Sequence, residues 1–111
     1  MFYSTEAEET RAFLRDTLEL PATDTGDGWL IFDVPEADMG VHPTDFEGSP
    51  RPGTHEISFY CDDIESTAAE LKSRGVQFID DISDQGYGLV IHFLMPGNVE
   101  VELYQPKYEK G

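Results

Sequence analysis

Apolar positions along the chain fall into two kinds of spacing. In "EAEETRAFLRDTL" (residues 6–18), Ala7, Phe13, Leu14 and Leu18 lie near one face of a helix, with charges opposite. Thr5 stands as the N-cap, and acids fill the first turn, where the helix dipole favours negative charge. Pro21 ends the helix. Shorter apolar runs of strand type follow: "WLIFDV" (29–34), after the turn signal "TGDG", and "ADMGVH" (37–42). Residues 19–24 read as a poor strand, and "MFYS" as the stub of one before the helix. The Pro- and Gly-dense stretch "PTDFEGSPRPG" (43–53) is the linker-like part of the chain.

The second half repeats the order. "HEISFYC" (55–61) is a strand. Asp62 or Asp63 caps a helix over 64–74, with Ile64, Ala68 and Leu71 on its apolar stripe and Gly75 just past its end. Three more strands cover 76–82, 88–95 and 99–104, separated by the turns "DQGYG" and "PGN". The chain thus reads as two copies of one ~50-residue unit. Residues 1–47 form the first, 48–54 the linker and 55–111 the second, within a single domain. The expected fold is α+β: two βαβββ modules forming an open, cup-shaped sheet with helices outside, the first strand of module one short or absent. Neither unit buries its apolar face alone.

Composition narrows the function classes. The chain has 111 residues, enough for one compact core. Seven Lys and Arg against 23 Asp and Glu give a formal net charge of -16, a surface that repels phosphate backbones and argues against nucleic-acid binding. The acids are scattered, as on proteins of salt-loving organisms, where high salt screens self-repulsion. No apolar run reaches the roughly 18 residues of a membrane helix. A single cysteine, Cys61, excludes an internal disulfide and fits a cytoplasmic protein. It lies in an apolar strand and reads as a small buried hydrophobe. Walker, G-x-S-x-G, CxxC and His-x-x-x-His motifs are absent.

Three segments, "RAFLRDTLEL" (11–20), "HEISFYCDDIESTAAELKSRGVQF" (55–78) and "MPGNVEVELYQP" (95–106), resemble the first helix, the second-module strand–helix unit and the closing hairpin of the vicinal oxygen chelate superfamily. That superfamily includes glyoxalase I, bleomycin-resistance proteins and extradiol dioxygenases. The resemblance implies a divalent metal (Fe, Mn, Ni or Zn) in the cup, held by His, Glu or Gln from the first and last strands of each module. The substrate is a small molecule that chelates the metal through neighbouring oxygens, and the assembly is often a homodimer.

Carried onto this chain, the resemblance makes Glu102 the closing carboxylate, as metal ligand or catalytic base. Glu56 falls at the opening ligand position of the second module. His55 lies one residue early and reaches inward only across a bulge or at a frayed strand start. In the first module the opening ligand would precede Met1, and the position matching Glu102 is Gly40, which has no side chain. His42 lies two residues on and reaches inward from the rim. Strand alternation sets Glu56, Ser58 and Tyr60 opposite Ile57, Phe59 and Cys61, and Glu100, Glu102 and Tyr104 opposite Val99, Val101 and Leu103. His92 alternates with Val90 and Leu94 and reads as a structural histidine with satisfied hydrogen bonds.

Two functions stay open. One is a metal-dependent lyase, isomerase or dioxygenase whose metal polarises an oxygen. The other is a metal-free, resistance-type binding module with Trp29, Tyr60, Tyr87 and Tyr104 as aromatic walls.

Overall fold

The computed structural model describes residues 2–35, 37, 47, 51 and 55–108. At its centre is a hairpin of β6 (Gly88–Met95) and β7 (Val99–Pro106), paired from Met95↔Val99 out to Gly88↔Pro106. The turn between them has positive φ at Gly97 and Asn98, the two residue types that enter the left-handed region at least cost. β3 (Ser58–Tyr60) joins the far edge of β7 in parallel. β4 (Gln77–Phe78) and β5 (Ser83–Asp84) both pair with β6 antiparallel.

Helix α2 (Ile64–Ser73) crosses between β3 and β4. Of the two candidate caps, Asp63 takes the role: its carboxylate accepts from the Ser66 N–H. The Ile64 N–H donates to Gln105 Oε1, pinning the helix start to β7. At the other end Val76 N–H donates to Leu71 O and Gly75 N–H to Lys72 O, with Gly75 at φ 88. This double bond pattern needs a left-handed residue, hence the glycine.

One face of the five-stranded sheet is dry. Ile91, Phe93, Met95, Val101 and Leu103 point to it, and Ile64, Ala68, Leu71, Val76 and Leu14 cover it. Phe93 is fully buried, with the rings of Phe78, Phe13 and Phe59 at 5.6, 6.3 and 6.5 Å.

The first half contributes α1 (Ala7–Ala12), which widens into a π-type turn over Phe13–Thr17, closed by Leu18 N–H to Phe13 O. Its N-cap is Glu6, where the sequence had suggested Thr5, and no side chain caps the helix from that position. Instead the Ser4 hydroxyl accepts the Glu6 N–H. The Ser4 and Thr10 hydroxyls donate to Pro96 O, and the Gly97 N–H donates to the Glu6 carboxylate. The start of α1 is thereby tied to the β6–β7 turn.

β1 (Ala22–Asp24) and β2 (Leu30–Phe32) form a separate antiparallel pair. The poor strand expected near residues 19–24 is present as β1. Among the described residues no strand precedes α1. The strand expected at 37–42 lies outside the described residues apart from Ala37, and the linker 48–54 apart from Arg51. The strand expected over 76–82 is cut to two residues for a visible reason. Ile79 N–H still donates to His92 O, but the His92 N–H goes to the side chain of Asp80 rather than to a main-chain oxygen. The ladder stops there. The whole is α+β with open sheets, as the pattern of elements indicated. Among the described residues no helix is long and apolar enough to cross a membrane.

Candidate metal centre

Register builds the site. Ser58 pairs with Glu102, and Glu102 with His92, so the three form one row across β3, β7 and β6 on the face away from the core. Asp80, two residues past the end of β4, reaches the row through its side chain, which meets the His92 ring. Glu56 lies two residues before Ser58 and shares its parity.

Glu102 is 7% exposed, a costly place for a carboxylate unless it is partnered. The Ser58 hydroxyl donates to its Oε1 at 2.8 Å, and His92 Nε2 lies 3.3 Å from its Oε2. The same Nε2 is 3.8 Å from Glu56 Oε2. On the other side of the ring, Nδ1 is 2.7 Å from Asp80 Oδ2. One ligand atom each from Glu56, His92 and Glu102 lies within 4.8 Å of the others.

The electrostatics follow from this crowding. A hydrogen bond to Glu102, partial burial and the charge of Glu102 push the Glu56 carboxyl up to about 7, against a smaller pull from His92. For His92, burial acts to lower the imidazole, but the hydrogen bond and charge of Asp80, with Glu102 and Glu56, outweigh it and raise the group.

Two carboxylates and an imidazole are a donor set for a divalent ion of the Zn, Fe, Mn or Ni kind. Donors about 2.1 Å from one tetrahedral ion stand about 3.4 Å apart. The distances of 3.3 and 3.8 Å from Nε2 to the two carboxylates match that need closely. The residue group can therefore hold a metal.

The next row holds Tyr60, Tyr104 and Val90. The Tyr104 ring lies 6.0 Å from that of Tyr87, and its hydroxyl is bonded to Tyr108 at 2.8 Å. Burial and neighbouring groups raise the Tyr87 and Tyr104 hydroxyls above their ordinary range. Tyr60 and Tyr87 are each about half exposed.

Of the residues singled out in the sequence, Glu56 and Glu102 meet here, and Tyr104 shares their face. His55 is exposed and stands outside the group. His42 lies outside the described residues. The Arg11 guanidinium of α1 lies over the Trp29 ring at 5.6 Å, and the π-type turn that continues α1 packs through Phe13 and Leu14 on the helix-covered side of the sheet. Two hollows of about 290 and 310 Å³ lie beside α1 and the β6–β7 turn, and neither is lined by the carboxylate–histidine group. Cys61 is buried, and desolvation pushes its thiol up to about 11, which removes it as a nucleophile at neutral pH.

His92 was missed as a site residue. The signal was present in the "PGN" turn: counting outward from Met95↔Val99 puts His92 opposite Glu102.

No curated protein matches the chain. Solved structures resemble it in fold. TnmS3, an antibiotic binding protein from Streptomyces sp. CB03234, aligns with a TM-score of 0.67 at 23% identity, covering 94% of this chain and 89% of that one. Lactoylglutathione lyase from Agrobacterium tumefaciens aligns at 0.64 and 16%, covering 94% and 88%. A glyoxalase/bleomycin resistance protein/dioxygenase superfamily member from Sphaerobacter thermophilus DSM 20745 aligns at 0.62 and 20%, covering 95% and 98%. The family model of the Glyoxalase/Bleomycin resistance protein/Dioxygenase superfamily matches residues 1–103, and the chain belongs to that superfamily.

Proposed function

We propose that the open face of the sheet holds one divalent ion through Glu56, His92 and Glu102 and uses it to bind and activate a small oxygenated molecule. The observation that carries this is that one donor atom each from Glu56, His92 and Glu102 lies within 4.8 Å of the others, beside the Tyr87–Tyr104 ring pair. When bound, the ion supplies Lewis-acid polarisation of a substrate oxygen. Glu102 is expected as ligand or base. Its burial, and the Ser58 and His92 contacts on its two oxygens, favour the ligand. Glu56 is more exposed, and without an ion its carboxyl is pushed up to about 7 chiefly by Glu102, so binding of the ion at neutral pH releases a proton from this group. Tyr87 and Tyr104 wall the adjoining end of the face, and Tyr60 flanks them.

Titration calorimetry on chelator-stripped protein tests the reading. One zinc or manganese ion per chain is expected, with affinity reduced at least about tenfold in Glu102→Gln. Protein that takes up no ion at micromolar concentration rules the reading out.

The tyrosines favour a second reading, a metal-free binding module in the manner of the antibiotic binding protein named above. Under it, planar aromatic probes raise the melting temperature equally with and without chelator. In either case a second copy of the chain covering the open face makes a homodimer, which analytical ultracentrifugation detects as a mass twice that of the chain.

A further inference from the structure

The contacts of Asp80 are unusual in that one carboxylate engages one residue twice. Oδ1 accepts the main-chain N–H of His92 at 2.7 Å, and Oδ2 faces Nδ1 of the same residue at 2.7 Å. This clamp does what neither bond does alone. The main-chain N–H donates in every protonation state, so Oδ1 cannot turn away from it. Oδ2 is then fixed in front of Nδ1, and a carboxylate oxygen can only accept. The opposite ring nitrogen, Nε2, points at the carboxylates of Glu102 and Glu56, 3.3 and 3.8 Å away.

We propose that Asp80 is a positioning residue that keeps the proton of neutral His92 on Nδ1, so that the Nε2 lone pair is the atom offered to an ion held with Glu56 and Glu102. The inference rests on the metal reading of the site and adds to it the residue that makes the histidine a ligand. Carboxylates behind metal-binding imidazoles act in this way generally, by fixing the tautomer and the ring plane. Asp80 itself touches neither ion nor substrate.

Asp80→Asn gives a test that a merely structural role does not pass. The asparagine oxygen must stay on the His92 N–H, because its amide group cannot accept there. The amide then faces Nδ1 as a donor, so Nδ1 must accept and the ring proton moves to Nε2. Long-range proton–nitrogen NMR of the metal-free protein, at a pH alkaline enough for a neutral ring, is expected to show His92 protonated on Nδ1 in the wild type and on Nε2 in Asp80→Asn. Zinc affinity is expected to fall by about 10- to 100-fold in Asp80→Asn. It stays within about threefold in Asp81→Asn, which removes the same charge from the adjacent exposed position.

A wild-type ring carrying its proton on Nε2 overturns the inference without recourse to any variant. So does unchanged zinc affinity in a folded Asp80→Asn. Wild-type protein that fails to bind zinc at all removes the metal reading and the inference together.

Discussion

Gly88 is buried at the start of β6, opposite Pro106, and its backbone conformation is one any residue adopts. What it supplies is space. A β-carbon there would lie 2.7 Å from the main-chain oxygen of Gln105 and 3.2 Å from both Pro106 Cα and Tyr104 Cε1. Two of those obstacles are backbone, so no side chain can swing aside to admit it. In Gly88→Ala the strands must part by about 0.7 Å at that end to restore ordinary contact. Overpacking of this kind costs about 1–3 kcal/mol. With a urea slope of about 1–2 kcal/mol per molar, the unfolding midpoint drops by roughly 1 M. Tyr104 moves with the strand, so its contacts with Tyr87 and Tyr108 loosen. The His92–Glu102 pair lies four residues along β6, about 13 Å away at about 3.3 Å per residue. Zinc affinity therefore stays within about twofold of wild type, additivity being the rule at such distances. Paired urea titrations and calorimetry decide the matter. An unchanged midpoint refutes the close approach of the two strands, and a matching loss of zinc affinity refutes the independence of the two ends.

Phe93→Ala, at the centre of the aromatic cluster, is expected to cost about 3–5 kcal/mol by urea unfolding, and a loss under 1 kcal/mol contradicts its central place in the core. In chelator-stripped protein the Glu56 carboxyl titrates at about 7 when folded, against an ordinary 4.5, so the folded state binds its proton more tightly than the unfolded one. That stability is fully present below pH 4.5 and is lost as pH rises to about 7. The urea midpoint then falls between about pH 4.5 and 7 in wild type and falls less in Glu102→Gln, whereas parallel profiles speak against the Glu56–Glu102 contact. Cys61 is expected to react with a thiol-selective disulfide reagent at pH 8 quickly in urea and slowly in native buffer. Equal rates would show an accessible thiol.

The parts of the fold legible in the sequence are those whose signals are local. The β6–β7 hairpin announces itself through alternation on both sides of a turn, and α2 through its apolar stripe, the Asp62–Asp63 pair before it and Gly75 after it. The parity of Glu102 follows from the same alternation. His92 needed one further step, since its face depends on register with another strand rather than on its own neighbours. Asp80 was not legible at all as part of the site. Nothing in "VQFIDDI" says that a carboxylate will replace a main-chain acceptor at residue 80 and cut the strand short. The start of α1 was misplaced by one residue because the hydroxyls of Ser4 and Thr10 serve the distant Pro96 carbonyl, a tertiary demand that local capping rules do not contain.

The parallel alignment of β3 with β7 bears on how the native state is reached and left. His92 and Glu102 meet as soon as a tight hairpin closes, on a scale of about 1–10 μs. Ser58, by contrast, is 44 positions from Glu102, and its strand docks only after that much longer loop has been closed. Glu56 arrives with it. An ion held as proposed, by Glu56 on one side and by His92 and Glu102 on the other, would act as a latch on β3. Such an ion would slow the escape of β3 and lengthen the lifetime of the native chain more than it would hasten assembly.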